Sequence, residues 1–420
     1  MEQAQPVSPA TVVIIGGGQA GGEAATLLRQ NRFEGRILLV GAERCLPYMR
    51  PPLSKAFLAR EIEKEALIYK AAAAYEKARV EMRFGVTVEE IDRRAKNLKL
   101  SSGATLGYDK LVIATGGRAR PLPVPGADLR NIFYLRTIAD VEALQPQMAA
   151  GRHLVVVGGG YIGLEAAAVA VNRGLAVTVL EGAPRVLARV TAPDLSNFYE
   201  RIHRKAGVEI RTGVTVTGFL VGGEEGAVGK VECAGGESFA ADFVLIGIGL
   251  VPNSELAEQA GLDVDDGIIV DAASRSSDPD IYAIGDCAMH AHHGFLRRKI
   301  RLESVPNALE QARAAAASLT GRPIPEAPPP WFWSDQYDFK LQMVGLSDGY
   351  EELAIRGSMD ASAFIAFYLK EGVVVAADSV NRAGDFMAAK RIIGERMKIS
   401  TARLADEAAS LKSLLQSAAA

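Results

Sequence analysis

Two sets of glycines carry the first chemical signal. Gly16, Gly18 and Gly21 stand at G-x-G-x-x-G spacing directly after the apolar run Val12 to Ile15. Gly158, Gly160 and Gly163 repeat that spacing after Leu154 to Val157. Such a turn binds a diphosphate. Its first glycine lets the chain leave a strand sharply, its second lets phosphate approach the backbone, and its third lets the following helix pack close to the strand. The phosphate then meets unpaired N–H groups at the positive end of the helix dipole. One copy would be ambiguous, but two imply two dinucleotides. An acid is expected about 20 residues after the third glycine, to accept hydrogen bonds from a ribose. Glu43 and Glu181 fall there, although a loop glutamate is the alternative reading of Glu43. Glu181 is followed by Gly182 and Ala183 rather than arginine. Its charge would repel a 2′-phosphate, which favours NADH over NADPH. Arg185 and Arg189 lie further on and weigh slightly the other way.

Other residue types are placed for supporting work. The loop Leu46 to Lys55 contains Pro47, Pro51 and Pro52, which stiffen it, and Lys55 ends it with a cation that a bound ring system could meet. Ala114, Thr115 and Gly116 are small residues at the end of a buried strand, and Phe243 to Gly249 repeats that strand-into-glycine pattern. Asp286 follows Ile281 to Gly285, where an acid can hold a polyol chain. Glu303 to Ala308 opens a helix running through Ala317, with Pro306 in its first turn; its N-terminus can stabilise negative charge on a ring carbonyl. Arg297, Arg298, Lys299 and Arg301 make a basic run.

The elements that must position these groups follow from pattern. Ala20 to Asn31 reads as a helix and Ile37 to Val40 as a strand. Ala71 to Val80 reads as an alanine-rich helix. Val86 to Leu100 and Thr105 to Ala114 alternate like strands around Gly103 as one β-excursion, and Val214 to Val231 is another, with Gly222, Gly223 and Gly226 at turns. Val177 to Leu180 is the second strand of the later nucleotide unit. Pro121 to Gly126 and Thr320 to Pro330 read as linkers. After them come four strand-like stretches, Leu341 to Leu346, Glu352 to Ile355, Ala363 to Leu369 and Val373 to Ala377, and closing helices. The expected fold class is α/β, with two Rossmann-like dinucleotide-binding domains and a C-terminal α+β domain.

Composition narrows the function classes. At 420 residues the chain can hold several domains, and 49% hydrophobic with 23% charged residues is ordinary for a globular protein. A net charge of −3 provides no global field for nucleic acid. Met1 to Ala10 lacks the basic-then-apolar pattern of a secretory signal, and no apolar run approaches the ~18 residues of a membrane span. Three separated cysteines, Cys45, Cys233 and Cys287, argue for a reducing, cytoplasmic setting.

The paired fingerprints resemble the flavoprotein pyridine-nucleotide oxidoreductases. Arg50 to Lys55, Glu303 to Ala308 and Trp331 to Tyr337 narrow this to the NADH-dependent ferredoxin reductases that serve bacterial cytochrome P450 and ring-hydroxylating oxygenase systems. The resemblance implies a glutathione reductase-like fold. FAD would be held noncovalently in segments 1–118 and 250–327, NADH in 119–249, and a C-terminal domain would occupy 328–420. It implies that FAD contacts Gly16, Gly18, Ala20, Gly21, Glu43, Lys55, Val88, Ala114, Thr115, Gly116, Arg136, Asp286 and Val305. NADH would meet Gly158, Gly160, Tyr161, Ile162, Gly163, Glu181 and Gly249. Ala42 stands where relatives commonly have an acid. Lys55 and Glu165 are the expected catalytic pair beside the flavin. The first helix has no cysteine, so electrons would leave the flavin directly for an acidic [2Fe–2S] ferredoxin and thence reach a P450 or oxygenase. Arg297, Arg298, Arg313, Trp333 and Lys340 are the expected docking residues, with no metal site, nucleic acid or membrane involved. Two rivals share the architecture: an NADH oxidase or peroxidase using a cysteine such as Cys45, and a binding flavoprotein like the apoptosis-inducing factors.

Overall fold

A computed structural model describes residues 10–222 and 226–417. Gly223 and residues 1–9, read above for a turn and for a signal, lie outside the described residues. The chain forms two compact units. The first comprises Met1–Met49, Leu67–Arg118 and Val251–Pro330; the second comprises Arg50–Ala66, Ala119–Leu250 and Trp331–Ala420.

The first unit is built on a five-stranded sheet in the order Ile281–Ala283, Lys110–Ile113, Thr11–Ile15, Arg36–Gly41, Val80–Phe84. Every pairing in it is parallel. Its central strands are almost continuous runs of buried aliphatic residues, as a sheet covered on both faces requires. One face is covered by the helices Gln19–Gln30 and Val305–Leu319, which meet through small residues including Ala24, Ala25, Ala312 and Ala315. Val88–Asp92, Asn97–Leu100 and Thr105–Gly107 form a separate antiparallel sheet turned at Gly103. The expected helix Ala71 to Val80 is shorter: it spans Ala72–Lys77. Arg79 then takes a positive φ of 50°, and Val80 begins the edge strand. The β-branched Val80 packs in the sheet rather than extending the alanine helix.

The second unit repeats the design. Its parallel sheet runs in the order Glu209–Thr212, Ala176–Glu181, His153–Val157, Phe243–Ile246, Ile132–Tyr134. In each unit the strand preceding the glycine turn lies between the strand that follows the first helix and the strand that follows the β-excursion. Strand order reverses there, and open α/β sheets bind ligands at such a point, beyond the carboxyl ends. The same unit carries a five-stranded antiparallel sheet, ordered Trp331–Gln336, Phe339–Gly345, Val373–Val380, Ala363–Lys370, Glu352–Ser358. The first of these strands had no strand-like pattern in the sequence, because Ser334 and Gln336 are polar yet face inward.

Candidate active site

The two glycine turns are built alike, and their glycines differ in the space around them. A Cβ on Gly16 would sit 2.1 Å from the Ala114 carbonyl oxygen, and one on Gly158 would sit 2.5 Å from that of Gly247. Both have positive φ, 118° and 109°. A Cβ on Gly21 would lie 2.1 Å from the Gly16 oxygen, and one on Gly163 2.1 Å from the Gly158 oxygen. These four positions are closed by the protein's own backbone. Gly18 and Gly160 are different: a Cβ there meets nothing within 4 Å. Among the described residues, no side chain fills the space beside those two positions, and each is the N-cap of a helix that no side chain caps. An open glycine before an uncapped helix N-terminus is the cradle that a diphosphate needs, so both turns fit a dinucleotide.

In the second unit Glu181 ends its strand against the turn. Its Oε2 accepts the Gly159 N–H at 2.6 Å and its Oε1 accepts the Ala183 N–H at 2.7 Å. These bonds fix the carboxylate while leaving lone pairs for ribose hydroxyls. Arg185 does not offset its charge toward a phosphate: it donates to Ser196 Oγ at 2.5 Å and to the Ala188 oxygen at 3.0 Å. Tyr161 and Ile162 open the helix Tyr161–Asn172, with the Tyr161 hydroxyl 2.7 Å from Met343 Sδ and Ile162 42% exposed. Gly249 has a φ of 116°, and its oxygen accepts the Arg120 N–H at 2.9 Å.

The first unit has no acid at the equivalent place. Val40 pairs with Ile15 as Leu180 pairs with Val157, so Gly41 is the counterpart of Glu181. A Cβ on Gly41 would come 2.9 Å from Phe84. Glu43 stands two residues later, and its Oε2 accepts the Tyr48 hydroxyl at 2.7 Å. Ala114, Thr115 and Gly116 end the buried strand, with Thr115 and Gly116 tied to Asn253 by three hydrogen bonds of 2.7–2.9 Å. Asp286 lies in the short helix Gly285–Cys287, where the Gly285 N–H is held by Gln311 Oε1 at 2.8 Å. Ser304 caps the helix beginning at Val305, its hydroxyl accepting the Asn307 N–H at 3.2 Å, and Ala20 packs in the core beneath it. Val88 is buried in the excursion sheet.

Lys55 and Glu165 come together within the second unit. Two prolines stiffen the turn Pro51–Ser54, and Lys55 follows it; Lys55 Nζ lies 2.8 Å from Glu165 Oε2. Glu165 is almost fully enclosed, with 1% of its side chain exposed, whereas Lys55 keeps 19%. Ser54 also donates to Oε2, and Ser334 donates to Oε1 at 2.6 Å. A buried carboxylate is costly unless paired and hydrogen-bonded, and this one is both. Arg50 anchors the same loop on the Arg136 carbonyl at 2.5 Å. Sequence reasoning did not assign Ser54 and Ser334 to this site. Serines carry no signal of partnership, since most sit in turns or on surfaces.

The basic run is partly neutralised. Lys299 lies 2.5 Å from Asp265, and Arg301 lies 2.7 Å from Glu303 and 3.1 Å from Asp266. Arg297, Arg298 and Arg313 are exposed in the first unit; Lys340 is exposed and Trp333 half-buried in the second. Trp333 packs 5.5 Å from Trp331, which lies beneath Lys390 Nζ at 4.6 Å. Cys233 and Cys287 are buried and Cys45 is half-buried. Among the described residues, no helix is long and apolar enough to cross a membrane.

Comparison with known proteins agrees with this geometry. Residues 10–312 match the family model of the pyridine nucleotide-disulphide oxidoreductases, and residues 331–415 match the reductase C-terminal model. Putidaredoxin reductase CamA of Pseudomonas putida is 47% identical, covering 97% of each chain. Rhodocoxin reductase of Rhodococcus erythropolis is 43% identical, covering 96% of this chain and 93% of the relative. Among solved structures, the reductase in the covalent putidaredoxin reductase–putidaredoxin complex superposes with a TM-score of 0.95 at 46% identity, covering 99% of this chain and all of that one. A chain with two open glycine cradles and relatives of this kind belongs to the pyridine nucleotide-disulphide oxidoreductase family, within its ferredoxin reductases.

Proposed function

We propose that the protein is an FAD-dependent NADH:ferredoxin oxidoreductase that supplies electrons, through a [2Fe–2S] ferredoxin, to a cytochrome P450 or related oxygenase. The observation that carries this reading is the pair of matching glycine cradles in a chain that lacks a cysteine pair on its first helix. FAD, when bound, supplies the conversion of a two-electron donor into single electrons.

The chain's own residues bind and align. Gly16, Gly18 and Gly21 receive the FAD diphosphate; Ala114, Thr115, Gly116, Arg136, Asp286 and Val305 hold the remainder, and Glu43 takes the ribose in place of Ala42. The fixed Glu181 carboxylate receives the NADH ribose and disfavours a 2′-phosphate. Lys55, held by Glu165, keeps a cation where negative charge develops on the ring system, and the helix N-terminus at Val305 adds its dipole. FAD belongs to 1–118 and 250–327, NADH to 119–249, and 328–420 forms the C-terminal domain. The protein works in the cytoplasm, and its ferredoxin is acidic, drawn to Arg297, Arg298 and Arg313 in the first unit and to Lys340 in the second, with Trp333 as a further contact. The test is NADH oxidation by the purified flavoprotein with and without added [2Fe–2S] ferredoxin. Turnover that needs the ferredoxin supports the reading, whereas full turnover with oxygen or peroxide alone refutes it.

A further inference from the structure

A polar chain leads away from Glu165 through the interior of the second unit. Ser334 Oγ, which donates to Glu165 Oε1 at 2.6 Å, accepts from Gln336 Nε2 at 3.2 Å. Gln336 Oε1 lies 2.8 Å from His203 Nε2, and His203 Nδ1 lies 3.0 Å from the Tyr337 hydroxyl. Glu165, Ser334, Gln336 and His203 are each at most 2% exposed. They come from three separate elements, the helix Tyr161–Asn172, the strand Trp331–Gln336 and the helix Pro193–Lys205.

The hydrogens of this chain have one consistent assignment. Ser334 has a single proton, and a carboxylate oxygen at 2.6 Å claims it. Ser334 must therefore accept from Gln336, which fixes the amide with its NH₂ toward the serine and its carbonyl toward His203. That carbonyl can only accept, so His203 carries its proton on Nε2, and Nδ1 accepts from Tyr337. Every donor then points toward Glu165. Burial lowers the His203 pKa to about 4, so the ring is neutral near neutral pH and the assignment holds there. An amide does not readily pass protons onward, so the chain orients and polarises rather than conducts.

We propose that Ser334, Gln336 and His203 are positioning residues for the Lys55–Glu165 pair. Neutral His203 fixes the Gln336 amide, the amide fixes the Ser334 hydroxyl, and Ser334 occupies Glu165 Oε1, leaving Oε2 turned to Lys55. The proposal rests on the reading of Lys55 as the cation that serves the flavin. It links that cation to strand Trp331–Gln336, which also carries the expected docking residue Trp333.

Two measurements test it on the full-length protein. In ring-¹⁵N-histidine NMR, with the His203 signals identified by their loss in His203→Asn, the wild type should show the Nε2-protonated tautomer, and Gln336→Leu should disturb it. In rapid mixing with NADH, Ser334→Ala should slow reduction of bound FAD by about tenfold or more, the effect of one lost hydrogen bond to a charged group, at unchanged FAD content. Ser334→Thr, which keeps the hydroxyl, should stay within about twofold of wild type. An Nδ1-protonated His203 in the wild type overturns the proposal, as does wild-type flavin reduction by Ser334→Ala. If Ser334→Ala does not fold, the tautomer of the wild type decides. A wild-type protein that takes up no FAD defeats the functional reading instead, and the tautomer measurement stands apart from that result.

Discussion

Lys55 Nζ lies 2.8 Å from the Glu165 carboxylate, and the lysine is the more exposed of the two. Removing Lys55 therefore leaves a buried carboxylate without its counter-ion. Lys55→Met is expected to lower stability by about 2 kcal/mol, less than for a fully buried pair because water reaches the lysine. It is also expected to slow flavin reduction by NADH by about tenfold or more. Chemical denaturation and single-turnover absorbance check the two effects. Full-speed reduction would remove the lysine from the mechanism.

The glycines within each turn should fail in different ways. Gly16→Ala puts a Cβ 2.1 Å from a backbone oxygen at a φ of 118°, so it should disrupt the first unit. Gly18→Ala has open space and should fold while losing FAD, with a melting temperature matching that of the FAD-stripped wild type. Gly160→Ala should likewise fold and keep FAD but bind NADH poorly. FAD content per chain after purification, read beside melting temperature, separates these outcomes. A Gly18→Ala protein that keeps its full complement of FAD would contradict the assigned cradle.

Glu181 holds the Gly159 and Ala183 amides through both carboxylate oxygens. Glu181→Arg removes those acceptors and reverses the charge offered to a 2′-phosphate. The ratio of kcat/KM for NADH to that for NADPH should fall by about tenfold or more. An unchanged ratio would take the ribose role away from Glu181.

Acid should destabilise the fold. Burial holds His203 and His293 at about 4, below the ordinary 6.5, each shift worth on the order of 3 kcal/mol. Both remain neutral in the folded protein while the unfolded chain takes up protons, so their contribution is lost as pH falls from 6.5 toward 4. Asp378, pushed by burial from 3.8 to about 6, works the other way over nearly the same range. Burial lowers His290 in the same sense, so three groups outweigh one, and melting temperature should fall between pH 7 and pH 4.5, less steeply in His203→Asn. A melting temperature that rises on acidification would contradict this balance.

Arg313 is exposed on the helix Val305–Leu319, whereas Lys299 and Arg301 are already matched by acids. Arg313→Glu should therefore slow ferredoxin reduction and flatten its dependence on ionic strength, while Lys299→Ala should do little. Stopped-flow rates across a salt series check this. A wild-type salt response in Arg313→Glu would move the docking face elsewhere.

The central strands of both parallel sheets, Thr11–Ile15, Lys110–Ile113, His153–Val157 and Phe243–Ile246, were legible because they are largely apolar runs leading to glycine, a pattern set by burial on two faces. The Lys55–Glu165 pairing was legible only through the resemblance, since neither residue's spacing points to the other. Strand Val80–Phe84 was hidden because the sequence before it favours helix, and the edge of the sheet decided the matter. Ser334 and Gln336 were hidden for a related reason. Nothing in their residue types names a partner, and only tertiary packing turns Ser334 onto Glu165 and Gln336 onto Ser334 and His203. The equivalence of Gly41 to Glu181 emerged from strand register, which no count of residues from the glycines can supply.

With FAD in one glycine cradle and NADH in the other, electrons should pass from NADH to a ferredoxin. The most direct measurement is the visible spectrum of the purified protein during NADH addition, with ferredoxin reduction followed in the same cuvette. A yellow protein is expected, one that NADH bleaches and that reduces two [2Fe–2S] ferredoxins for each NADH consumed. A folded, colourless protein that takes up no FAD, or one that NADH bleaches but ferredoxin cannot reoxidise, would contradict it.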